Sequence, residues 1–152
     1  MHKKLLEALR KHHIVYRPEP FAQLAGRIIE HAMLIRKEGV LAVEKMIEDE
    51  KNYLYRKLMG MVLDGIDRCT VDEAAEIFIE NVSAYLQGHQ KSIKVPEPEI
   101  EFMLRQMRMV ARGVKMIQEK QPPYLIEEVL FFYILGEARP ASRFKKSSGA
   151  TV

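Results

Sequence analysis

Three carboxylates, Glu73, Glu76 and Glu80, follow one another at spacings of three and four residues, with Asp72 beside the first. On a helix that spacing places them on one face. A row of acids can hold a cation or meet a basic partner. With no histidine and no matching acidic helix to complete a coordination shell, this row reads as a solvated or partner-facing stripe. The second constellation is Arg36 and Glu44, a cation and an anion eight residues apart with Gly39 between them. Eight residues at roughly 100° each exceed two turns by about 80°, and a glycine permits a bend. The two charges can therefore project from adjoining elements, and charges so placed steer an encounter and set its register.

Other chemistry finds little support. The chain has no His-Glu-x-x-His, no Cys-x-x-Cys, no Glu three residues before a His and no Gly-Lys-Ser/Thr phosphate loop. Cys69 has no second cysteine to pair with and reads as a packed residue near a helix start. His12 and His13 read as part of a solvated basic helix end. The expectation is a protein without metal or cofactor that is not an enzyme.

The elements that carry these residues all have helical period. Phe21, Leu24, Ala25, Ile28, Ala32 and Ile35 form one stripe that Gly39 should end, and a second helix is expected from about Val40 to Asp49. Leu54, Leu58, Met61 and Val62 form the next stripe, stopped at Asp64-Gly65. Thr70-Val71-Asp72-Glu73 fits a capping box. The long helix behind it should turn Ala74, Ala75, Phe78, Val82 and Tyr85 or Leu86 inward and end near Gly88. Pro96-Glu97-Pro98 is the clearest internal boundary. Beyond it Met103, Met107, Val110, Val114 and Ile117 mark a helix over Glu99 to Gln118. Pro122-Pro123 ends that helix. A last one, with Leu125, Ile126, Val129, Leu130 and Tyr133 inward, runs to about Leu135 and closes at Gly136. Lys45-Met46-Ile47 through Gly65 is faintly echoed by Lys115-Met116-Ile117 through Gly136, which reads as shared helical-hairpin logic.

No sustained period-two alternation is present, so the expected fold is all-α, a soluble bundle of about six or seven helices. Residues 1–93 and 94–138 form its two parts, and 139–152 read as a disordered basic tail. Of 152 residues 47% are apolar, which suffices for a core without staples. Twenty-four Lys and Arg against 21 Asp and Glu leave a charge of only +3, too interspersed to propose nucleic acid. No apolar run reaches the ~20 residues of a membrane span, and no signal-peptide core opens the chain. The expected location is cytoplasmic.

The order Arg36-Lys37-Glu38-Gly39-Val40-Leu41-Ala42-Val43-Glu44, an acidic turn, a helix ending Val62-Leu63-Asp64-Gly65 and an acid-rich helix from Val71 to Leu86 resembles the cytoplasmic domain of MotA, the flagellar motor stator subunit. The likeness covers roughly Pro18 to Gly88. In that family the stator surrounds an ion-conducting pore with a second subunit, MotB, and its cytoplasmic charges meet the rotor switch protein FliG. The resemblance implies that Arg36 and Glu44 are rotor-facing charges. It also implies a protein partner such as FliG or other stator components. The row Glu73, Glu76 and Glu80, read from its spacing, is expected to be a secondary surface. The family carries four membrane helices around this domain. Here no such run is present, and the helices after Pro96 are expected to cover the apolar surface that membrane-proximal elements would cover.

Three further readings stay open at this level. One is a homo-oligomer seam along Met103 to Ile117. Another is a helical small-ligand or signalling module, binding between the last two helices. The third, the least favoured, is an acidic surface or nucleic acid held by Lys3, Lys4, Arg10 and Lys11 with Arg139, Arg143, Lys145 and Lys146.

Overall fold

The computed structural model describes residues 19–134. The terminal basic clusters, the His12-His13 pair, Gly136 and the 139–152 tail lie outside the described residues. From Pro20 the chain enters α1 (Phe21–Glu38), which buries Phe21, Leu24, Ala25, Ile28 and Ala32 as its stripe requires. Gly39 ends the helix at φ 94°, a conformation that L side chains rarely adopt, while its N–H donates to the Ile35 carbonyl at 2.7 Å.

The single helix expected from Val40 to Asp49 is instead a 3-10 turn, Val40–Val43, followed by α2 (Glu44–Glu48). The break falls at Val43, which adopts φ −101° and ψ 1° and is fully buried. Seating that β-branched side chain in the core takes precedence over an unbroken ladder of helical hydrogen bonds. Next comes α3 (Tyr53–Leu63), opened by Asn52, whose side chain accepts the Tyr55 N–H at 3.0 Å. It closes as expected at Gly65, φ 78°, with the Ile66 N–H reaching back to the Met61 carbonyl at 3.0 Å.

The fourth helix, α4 (Arg68–Gly88), begins earlier than the capping-box reading puts it. Its cap is Asp67, which accepts the Thr70 N–H at 3.0 Å and the Thr70 hydroxyl at 2.7 Å. With an aspartate three residues upstream, Thr70 becomes a donor inside the helix rather than its cap. Cys69 consequently lies in the first turn and is exposed, not packed.

After α5 (Gln90–Ile93), Lys94 turns left-handed and α6 (Glu97–Gln118) starts with Pro98 in its first turn. α7 (Pro123–Phe132) follows the double proline and ends short of the expected Leu135. The α6–α7 connection repeats the Gly65 closure with a lysine in the left-handed position. Lys120 has φ 56° and the Gln121 N–H bonds the Met116 carbonyl at 3.0 Å. This closure is separate from the internal echo, which pairs Gly65 with Gly136, a residue outside the described ones.

The fold is all-α: seven α-helices and one 3-10 turn, with no strand among the described residues. α6 is the central element and packs on α1, α3, α4 and α7. At its crossing with α1 and α7 stands Gly113, where a Cβ would meet Ile28 Cγ2 at 2.9 Å and Leu130 Cδ2 at 3.5 Å. The main core draws on both sides of Pro96, joining Phe21, Ile28 and Tyr55 to Met109, Val114 and Leu130. A smaller cluster of Val82, Leu86, Ile100, Met103 and Leu104 closes the far end of the α4–α6 hairpin.

Candidate functional site

The turn between α1 and α3 carries the two charges that the sequence singles out. Arg36 lies in the last turn of α1, where a cation suits the negative end of the helix dipole, and Glu44 in the first turn of α2, where an anion suits the positive end. Both are exposed, and neither has an ion-pair partner among the described residues. Between them Leu41 is 67% exposed, the most open of the large apolar side chains. The edge is therefore a cation, a bare leucine and an anion mounted around a left-handed glycine. A Cβ at Gly39 would meet nothing within 4 Å, so the glycine is required by its backbone angle and not by space.

Behind this turn lies a polar cluster that no motif announces. Glu50, 5% exposed, accepts from Arg27 Nε at 2.9 Å and Nη2 at 3.2 Å and from the Asn52 backbone N–H at 2.8 Å. Its own carbonyl accepts from Arg56 at 2.8 Å, and Arg27 also pairs with Glu19. One carboxylate thus ties the middle of α1, the cap of α3 and the end of the charged turn together. Burial works against the Arg27 charge, yet its hydrogen bonds to Glu19 and Glu50 hold its pKa above the ordinary guanidinium range. Arg27 and His31 sit four residues apart beside the apolar stripe, a pair of polar residues at core-facing spacing. That spacing and the Glu50-Lys51-Asn52 turn were the only sequence signals of the cluster.

Next to it, His31 Nδ1 lies 2.6 Å from the Tyr55 hydroxyl, with the two rings stacked at 5.6 Å. Burial keeps the Tyr55 phenol protonated far above its usual pKa. Burial likewise lowers the His31 pKa, against an opposing pull from Glu50 and Glu30. An imidazole whose folded-state pKa is depressed stabilises the fold fully above the unfolded value of about 6.5 and loses that contribution as pH falls through the folded value. Chemical denaturation between about pH 7.5 and about pH 4.5 should show wild type losing up to about 1.4 kcal/mol per pH unit more than His31→Gln over part of that window. Parallel pH profiles for the two proteins would refute the assignment.

Glu73, Glu76 and Glu80 are all exposed along the outer side of α4, as a single row. Asp72 does not belong to the row: it turns towards α6 and meets Lys115 at 3.5 Å. Of the residues expected inward, Ala75, Val82 and Leu86 are buried, whereas Leu125 on α7 is 36% exposed and leaves the core contact to Ile126. On the Met-rich helix, Met103, Val110, Val114 and Ile117 are buried, and at Gly113 the space between the last two helices is filled by Ile28 and Leu130. Among the described residues no group of three or more His, Cys, Asp or Glu side chains could hold a metal ion. Nor is any described helix long and apolar enough to cross a membrane.

No family model matches the chain, and no solved structure matches it. Among curated proteins, Motility protein A from each of two strains of Helicobacter pylori is 36% identical over 61 residues, 40% of this chain. The match spans only 24% of those relatives' length. Over that segment, the chain is similar to Motility protein A.

Proposed function

We propose that the protein is a protein–protein interaction module of flagellar-motor type, docking a partner such as the rotor switch protein through the edge that holds Arg36 and Glu44. The observation that carries this reading is the exposure of both charges on either side of Gly39, with Leu41 bare between them, on a turn anchored from behind by Glu50. An edge of this kind offers electrostatic register and one apolar contact while its backbone is already ordered, so little entropy is lost on docking. The similarity to Motility protein A supports a motor-related partner. The row Glu73, Glu76 and Glu80 serves as a second contact surface.

Charge reversal tests the edge. Arg36→Glu and Glu44→Lys should each weaken capture of the rotor switch protein by about tenfold, roughly 1.4 kcal/mol, and the loss should shrink at high salt. Because both side chains are exposed and unpaired among the described residues, the fold should stay intact, with a loss of stability no larger than about 1 kcal/mol from opposing the helix dipole. Undiminished capture by both reversed proteins would exclude the edge.

A further inference from the structure

The hairpin of α4 and α6 has an outer face whose charges are sorted by helix. On α4, Glu73, Glu76 and Glu80 point away from the buried Val71, Ala75, Val82 and Leu86. On α6, Arg105, Arg108 and Arg112 are exposed opposite the buried Met103, Val110 and Ile117. The two rows have the same spacing, three residues and then four, so each extends about 10.5 Å along its helix.

They also stand at nearly the same height. Lys115 meets Asp72 at 3.5 Å and Arg68 meets Glu119 at 3.7 Å, which fixes the antiparallel register of the hairpin. Counting from those pairs places Arg112 level with Ala75 and Arg105 level with Val82, an offset of two residues, or about 3 Å, from the acidic row. The Asp72–Lys115 and Arg68–Glu119 pairs lie along the seam between the rows. None of the six row residues has an ion-pair partner among the described residues.

We propose that this face docks a second copy of the chain, the acidic row of each copy lying on the basic row of the other. The proposal rests on the reading of Glu73, Glu76 and Glu80 as a contact surface and names its occupant. Two-fold symmetry about an axis parallel to the helices and above the seam places α4 of one copy over α6 of its partner, so that both sets of rows match at once. The perpendicular in-plane axis would set acid on acid and is excluded by the same charges. None of the exposed large apolar side chains stands between the rows, so the dimer is a weak one, held by charge and governed by salt.

Sedimentation of the full chain at ~100 µM tests this in about 10 mM and about 1 M salt, where the screening length falls from about 30 Å to about 3 Å. Wild type should dimerise in the first condition, with a dissociation constant at least about tenfold weaker in the second. The triple variants Glu73→Lys/Glu76→Lys/Glu80→Lys and Arg105→Glu/Arg108→Glu/Arg112→Glu each present a face of one sign and should be monomeric. Mixed together they should form a one-to-one dimer, a rescue that also shows that both remain folded. A monomeric wild type at low salt, variants that self-associate as wild type does, or a mixture that stays monomeric would each overturn the proposal. Wild-type self-association by Arg36→Glu and Glu44→Lys keeps this result separate from the fate of the docking edge.

Discussion

Replacing Arg27 with methionine is expected to lower the unfolding free energy by about 3 kcal/mol at neutral pH. Glu50 would lose both guanidinium bonds, at 2.9 and 3.2 Å, and keep the Asn52 N–H at 2.8 Å. Its side chain is 2% exposed, so water does not replace the missing donors. A buried carboxylate stripped of its cation costs far more than the intact pair contributes, because the pair was already offset by desolvation. The same asymmetry defines the controls. Arg27→Met/Glu50→Gln removes the uncompensated charge and should recover more than half of the loss. Urea titrations at about pH 7 measure both effects, and an Arg27→Met variant within about 0.5 kcal/mol of wild type would show that the cluster does not hold the turn. Amide exchange over residues 40–52 should also accelerate in this variant, because Glu50 joins that turn to α1 and α3.

Phe21→Ala should be costlier still, at about 4 kcal/mol. Phe21 is fully buried, meets Phe102 of α6 edge-on with ring centroids 4.7 Å apart, and carries the Arg105 guanidinium 5.2 Å above its ring. Truncation leaves a cavity at the start of α1, removes an aromatic pair and frees Arg105 from its seat. Leu in place of Phe keeps most of the volume and should cost less than half as much. Equal losses for Ala and Leu would mean that ring geometry, and not filled volume, holds α1 to α6. Arg105 belongs to the basic row of the hairpin face, so Phe21→Ala should also weaken low-salt self-association, whereas Arg27→Met should leave it intact.

Much of this architecture is legible in residue order. The stripe on α1 needs only helical period, Gly39 and Gly65 end helices through a backbone freedom that side chains lack, and Pro96, Pro98, Pro122 and Pro123 mark breaks by steric exclusion. The exposed positions of Arg36, Glu44, Glu73, Glu76 and Glu80 also accord with their patterns. Local competition was harder to read. Asp67 and Thr70 are both good caps, and which one opens α4 depends on where the preceding chain leaves the Gly65 turn. The Val40–Val43 turn depends on a pocket for Val43 that no local propensity describes.

Helix content, helix order and the outward charges were determined by the sequence alone, because each follows from interactions within a few residues along the chain. Tertiary structure alone decided that Arg27, His31, Glu50 and Tyr55 would form one buried cluster, since its bonds join residues 23 and 24 positions apart. The same is true of the level of the acidic row against the arginine row, which is set by the Lys115–Asp72 and Arg68–Glu119 pairs across the hairpin. Periodicity states which way a side chain faces on its own helix. What it faces is chosen when helices pack, because ion pairing and burial act through space and carry no trace in local spacing.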